Sequence, residues 1–138
     1  MLETILVALD CSEMSTNILE ALKTLQITAT TEIILLHVLP SPETGVDIDA
    51  TLPHQSPELL YHQAEAHLKD LQKQLLESII EIVNGDPAEE IIRLANIYQA
   101  ELVVIGTRGL KGVDRIISDS VSSQVVSEAP CSVLVVKP

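Results

Sequence analysis

Between Gly106 and Ser122 the chain concentrates the residue types that hold a phosphate. Gly106, Gly109 and Gly112 recur at three-residue steps, which permits sharp turns and a close backbone approach to a ligand. Ser118, Ser120 and Ser122 follow at a predicted helix start near Ser120. Unpaired N–H groups and the helix dipole favour an anion at such a start. Arg108 and Lys111 add cations for charge-assisted contacts. Glycines at this spacing also suit an ordinary flexible loop. Their place after a buried strand and before a helix favours the phosphate reading.

The charge distribution points to the same segment. From Gly106 to Ser122, Arg108, Lys111 and Arg115 stand against Asp114 and Asp119, a balance of +1, while the other residues carry 5 basic and 18 acidic groups. A net charge of −12 argues against a nucleic-acid binder, which needs a basic face to release counterions, and equally against an anionic membrane surface. No nucleophile–base–acid constellation is visible, so no catalytic residue is assigned. His54, His62 and His67 lack metal-ligand spacing, and no metal site is assigned either. His37, inside an apolar run, reads as a hydrogen-bonded core residue. Cys11 reads as a small turn residue, with a redox-sensitive thiol as the alternative, and Cys131 as packing.

Two cysteines cannot make a disulfide framework and suit a reducing cytosol, and the opening MLETILVALD predicts no secretory signal. A cytoplasmic location is therefore expected. With 46% hydrophobic residues but no Trp or Phe, the core must be aliphatic.

Apolar runs and helical patterns alternate along residues 1–138, which are read as one domain. Residues 4–10 (TILVALD), 32–38 (EIILLHV), 79–83, 101–106 (ELVVIG) and 132–137 (SVLVVK) are short apolar runs, as in strands buried on both faces. Ser12 can cap a helix reaching about Ala29, with Met14, Ile18, Leu22 and Leu25 on one side. Ser56 and Pro57 open a second helix, whose stripe is Leu60, Ala64, Leu68, Leu71 and Leu75. Asp86, Pro87 and Glu89 open a third, running to about Gln99 and burying Ala88, Ile91, Ile92 and Ala95. A fourth spans about 120–128. This alternation implies right-handed crossovers and a parallel sheet covered on both sides. Ligands of such sheets sit beyond the carboxyl ends of the strands, where the strand order reverses. Asp10, Val38 and Gly106, all at strand ends, are thereby expected to meet. The loop carrying Pro40, Pro42, Gly45 and Pro53 is long enough for a lid or binding role. A phosphorylation receiver shares the layout but needs an acid ending the third strand, where Asn84 follows Val83.

The chain resembles the universal stress protein family along its whole length, most weakly over residues 39–55. The resemblance rests on ILVALD with Ser12 after it, LLHV, GDPAEEI, AELVVIGTRG and APCSVLVV. It rests also on Gly106 and Gly109 followed, nine residues on, by Asp119, Ser120, Val121 and Ser122. It implies an α/β three-layer sandwich of the adenine nucleotide alpha hydrolase-like, Rossmann-like kind. The sheet would be five-stranded and parallel, in the order 3-2-1-4-5, with helices on both faces. The implied ligand is ATP or another adenine nucleotide, AMP or ADP. Asp10 would face the ribose, Val38 would offer its backbone to adenine, and Ala8 and Ile105 would line the base pocket. Gly106, Arg108 and Gly109 would approach ribose and phosphates, with Ser120, Val121 and Ser122 at the phosphate end. Asp10 also suits a helix-entry cap, and Val38 plain packing. The last strand, with Ser132 and Lys137 at its ends, is an aliphatic sheet edge, and the resemblance implies a homodimer through it.

One departure stands out. Asp119 occupies the place of the family pattern's third glycine. Its carboxylate can repel phosphates, point to solvent, join them in holding Mg, or act as a built-in anion at a helix start. Two functions follow: a nucleotide-binding stress-response or signalling module with weakened triphosphate binding, or a nucleotide-independent dimeric scaffold. An enzyme such as a slow ATPase ranks behind both.

Overall fold

The computed structural model describes residues 3–10, 14–25, 30–39, 57–75, 78–106 and 113–137, with Met14, Pro57 and residues 113–120 by backbone alone. The elements are β1 (Thr4–Ala8), α1 (Met14–Thr24), β2 (Glu32–Leu39), α2 (Pro57–Gln72), β3 (Ser78–Asn84), α3 (Pro87–Ile97), β4 (Leu102–Gly106), α4 (Val113–Glu128) and β5 (Ser132–Val136). The five strands form one parallel sheet in the order β3-β2-β1-β4-β5, as expected. The candidate caps Ser12 and Ser56 lie outside the described residues.

Why the strands read as unbroken apolar runs is plain from their two faces. Ile5, Val7, Leu9, Ile33 and Leu35 pack against Ile18, Leu19 and Leu22 of α1 and Leu68 and Leu71 of α2. The alternate residues Leu6, Ala8, Ile34 and Leu36 pack against Ala88, Ile91 and Ala95 of α3 and Val125 of α4. Successive side chains leave a strand on opposite sides, so both parities must be apolar when helices cover both faces. The sheet grows from β1 first toward β3 and then back toward β5. Right-handed crossovers in opposite directions put α1 and α2 on one face, α3 and α4 on the other.

Local signals set the helix ends. Asp86 caps α3, its Oδ2 accepting from the Glu89 N–H at 3.0 Å, with Pro87 at the first helical position. Gly85, just before it, has φ +148°, a backbone region that side chains rarely adopt. Leu94, rather than the expected Ile92, completes the buried stripe of α3, while Ile92 is half-buried. The buried face of α3 is turned toward position 94, three residues after Ile91, and position 92 falls on its opposite flank. α1 ends at Thr24, short of the expected Ala29; the Thr24 hydroxyl donates to the Ala21 carbonyl at 2.6 Å and the Leu25 N–H to Leu22 at 3.1 Å. Such a hydroxyl competes with the helical ladder, and the tighter final turn closes it.

α4 departs most from expectation, beginning at Val113 rather than near Ser120. Val113, Ile117, Val121 and Val125 keep four-residue steps, so the sequence stripe starts five residues before Ser118. Ser118, Ser120 and Ser122 therefore lie within the helix and not at its start.

At the β3 edge, the Tyr98 hydroxyl donates to Glu81 Oε1 at 2.5 Å. That bond to a carboxylate, with burial second, pushes the Tyr98 pKa up to about 12. Cys131 packs half-buried against the α3/α4 side of the core, and burial raises its thiol pKa, which suits a packing residue. No helix among the described residues is long and apolar enough to cross a membrane.

Candidate functional site

Register brings the strand ends together. Ala8 pairs with Leu36 of β2 on one side and with Ile105 of β4 on the other. β1 ends at Ala8, with Asp10 two residues beyond, while Val38 lies two residues past the paired Leu36 and Gly106 one past the paired Ile105. The three expected residues thus share the carboxyl rim of three adjacent strands. β1 is also where the chain's progress across the sheet reverses, and there the departing connections leave a crevice.

Parity then selects one wall. Ala8, Val38 and Ile105 all belong to the α3/α4 face, and Val121 packs half-buried against the same cluster. At about 3.3 Å per strand residue and 1.5 Å per helix residue, β5 is matched in height by roughly eleven residues of α4. Counted up from Glu128, that puts Val121 and Ser122 just below the rim. Ala8, Val38, Ile105 and Val121, all named from the sequence, therefore lie on one side of the sheet.

Ser122 is the polar member of this wall. It is 8% exposed, and its Oγ has no hydrogen-bond partner. A buried hydroxyl without a partner costs about 1–3 kcal/mol. It fits a group that a ligand oxygen or nitrogen would satisfy. Ser122→Ala is expected to stabilise the ligand-free protein by about 1 kcal/mol, near 3 °C in melting midpoint. Thermal unfolding checks this, and a lowered midpoint would mean the hydroxyl already has a partner.

The other expected residues divide. Arg108 and Gly109 lie outside the described residues, as does the loop with Pro40 and Pro53. Asp119 and Ser120 are described by backbone only, within α4. The helix-start mechanism for Ser120 and Ser122 is corrected: the first-turn N–H groups of α4 belong to residues from Val113 onward, and those at 120–122 are inside the helical ladder. Serine hydroxyls, rather than their N–H groups, are what these positions can offer. Asp119 is likewise not an acid of the first helical turn.

His37 is hydrogen-bonded, as its place in an apolar run predicts, and its partner and a second side-chain contact are visible in the structure. His37 Nδ1 lies 2.7 Å from the Leu9 carbonyl oxygen, at the rim itself. Ser15 Oγ, buried in α1, lies 3.0 Å from His67 Nε2 of α2. Both join residues distant in sequence, so only register and helix packing reveal them. No group of metal-binding side chains occurs among the described residues.

Comparison with known proteins gives a consistent picture. The model of the Universal stress protein family matches residues 1–137. Universal stress protein YxiE of Bacillus subtilis is 32% identical, covering 99% of this chain and 100% of its own. Universal stress protein Sll1388 of Synechocystis is 29% identical, covering 96% of each chain. The chain spans about half the length of a Methanocaldococcus jannaschii relative, Universal stress protein MJ0531, at 39% identity over 84 residues, 58% of this chain and 49% of that one. Among solved structures, hypothetical protein MJ0577 superposes with a TM-score of 0.75 at 29% identity, over 100% of this chain and 97% of that one. Others share the fold at lower identity: a universal stress protein in complex with cAMP (TM-score 0.68, 18%), an Arabidopsis thaliana member with AMP bound (0.64, 22%) and one from Archaeoglobus fulgidus in complex with dAMP (0.65, 19%). Each covers 98% of this chain, and 96%, 91% and 98% of its own respectively.

Proposed function

Because this chain belongs to the universal stress protein family, we propose that it holds an adenine nucleotide at the carboxyl rim and acts as a cytoplasmic stress-response or signalling module rather than an enzyme. One observation carries the reading. Asp10, Val38 and Gly106 converge at that rim, above a wall of Ala8, Ile105 and Val121 that faces one side. An apolar wall with a few convergent polar groups is how small-molecule sites are built.

Within this reading, Ala8 and Ile105 flank the base and the Val38 backbone reads its edge. Asp10 accepts from ribose hydroxyls, as an exposed carboxylate can. Gly106 and Gly109 let the backbone approach the ribose and first phosphate, Arg108 pairs with phosphate charge, and Ser120 and Ser122 offer hydroxyls alongside Val121. The unpartnered Ser122 oxygen is the structural feature that fits such a ligand. Relatives of the same fold with AMP, cAMP and dAMP support the adenine class. Asp119 weakens triphosphate binding in this proposal, so AMP or ADP binds better than ATP unless Mg bridges carboxylate and phosphates. Residues 1–138 act as one domain. A homodimer forms through β5, an edge strand whose residues stay half-buried beyond the exposed Ser132.

Asp119 itself favours a second reading, a nucleotide-independent dimeric scaffold. Mass spectrometry of nucleotide carried through purification, followed by titration with AMP, ADP and ATP–magnesium against GTP, separates the two. Adenine-selective binding is expected. Absence of binding by all three adenine nucleotides would leave the scaffold.

A further inference from the structure

The β1–β2 ladder ends in an unusual way. Its last backbone bond runs from the Leu9 N–H to the Leu36 carbonyl at 2.8 Å. In a regular parallel ladder, a residue that donates to position j−1 of its neighbour accepts from position j+1. The Leu9 carbonyl would therefore accept from the Val38 amide. The atom found against that carbonyl is instead Nδ1 of His37, at 2.7 Å. A carbonyl only accepts, so this nitrogen carries the hydrogen in either charge state of the ring.

We propose that His37 is a positioning residue for base recognition: its Nδ1–H takes the Leu9 carbonyl in place of the Val38 amide, stops the ladder there, and leaves the Val38 backbone edge to read the base. The inference rests on the adenine reading of the site and adds the device that makes Val38 available. Parity supports the arrangement. His37 shares the α1/α2 side with Ile33 and Leu35, whereas Val38 belongs to the opposite face with Ala8 and Ile105. The ring thus reaches the carbonyl without occupying the base's wall. It also fixes the direction in which β1 leaves the sheet, one residue before Asp10. An aliphatic residue at position 37 supplies no donor. The Leu9 carbonyl would then turn to the Val38 amide and consume the edge the base needs.

Two measurements on the same variants test this. In nucleotide-free protein, NMR hydrogen exchange at the Val38 amide should slow by about tenfold or more in His37→Leu, the protection that one added backbone bond confers. His37→Asn, which keeps a donor near the Nδ1 position, should exchange like the parent. AMP titration should show His37→Leu weakened about tenfold and His37→Asn within about threefold of the parent. Equal Val38 exchange in the parent and His37→Leu would overturn the proposal, as would unchanged AMP affinity in His37→Leu. Should the parent itself bind no AMP, the adenine reading fails, while the exchange rates still decide whether the ring ends the ladder.

Discussion

Asp119→Gly is expected to tighten ATP binding by up to about a thousandfold. A carboxylate about 4 Å from a phosphate charge costs roughly 4 kcal/mol at an effective dielectric near 20, and ~1.4 kcal/mol is one decade in affinity. The full figure applies if the carboxylate faces the phosphates, and solvent or salt between them reduces it. The gain should rank ATP above ADP above AMP, following phosphate charge. Asp119→Asn separates causes, because it removes the charge and keeps the bulk. Equal gains in Asn and Gly identify repulsion, and a gain in Gly alone identifies steric exclusion. Calorimetric titration of the three proteins with each nucleotide, with and without magnesium, reads the result. If ATP binds the parent at low-micromolar concentration and Asp119→Gly no better, the aspartate suppresses nothing. Loss of magnesium-dependent binding in both variants would instead make Asp119 part of an ion site.

Leu35→Ala should lower folding stability by about 3 kcal/mol, near 10 °C in melting midpoint for a chain of this size. Leu35 is fully buried in β2 and belongs to the cluster in which Val7, Ile18, Leu22 and Leu68 meet. Truncation there removes transfer free energy and leaves a cavity, because strands held in register cannot close around it. Leu59→Ala is the contrast. Leu59 is 45% exposed on α2, and its change should stay within about 0.5 kcal/mol. Urea and thermal unfolding of both variants check the pair. A Leu35→Ala cost below 1 kcal/mol would mean that this side of the sheet is loosely packed. The rim it supports would then be a poor platform for binding.

The strands were legible because each is a short aliphatic run between turn signals, and β2 extends just one residue past its expected end. Asp86, Pro87 and Glu89 marked the start of α3 by chemistry that acts within four residues. Placing Asp10, Val38 and Gly106 together needed only the rule that parallel strands end on one rim. Other features resisted. The sequence places the start of α4 seven residues late, because its glycines and serines suggest a loop, whereas the helix runs from Val113 through Ser118, Ser120 and Ser122. The sequence pattern puts Ile92 in the core, where the structure has it half-buried, because a one-dimensional stripe does not say which flank faces the sheet. That His37 is hydrogen-bonded is legible, but its partner is not, since Leu9 is 28 positions away and no local pattern links them.

Taken alone, the amino-acid order determined the aliphatic parallel sheet and, through the family resemblance, its order 3-2-1-4-5, and it named residues for a nucleotide site. Those depend on periodicity, local capping and motif spacing, all carried by near neighbours in the chain. Tertiary structure alone decided which side of each strand faces which helix, that Ala8, Val38, Ile105 and Val121 share one wall, that the Ser122 hydroxyl is buried without a partner, and that His37 meets the Leu9 carbonyl where the β1–β2 ladder ends. Each of these follows from register and from the docking of distant elements. A shift of one residue in pairing reverses every face, and nothing within a single strand records it.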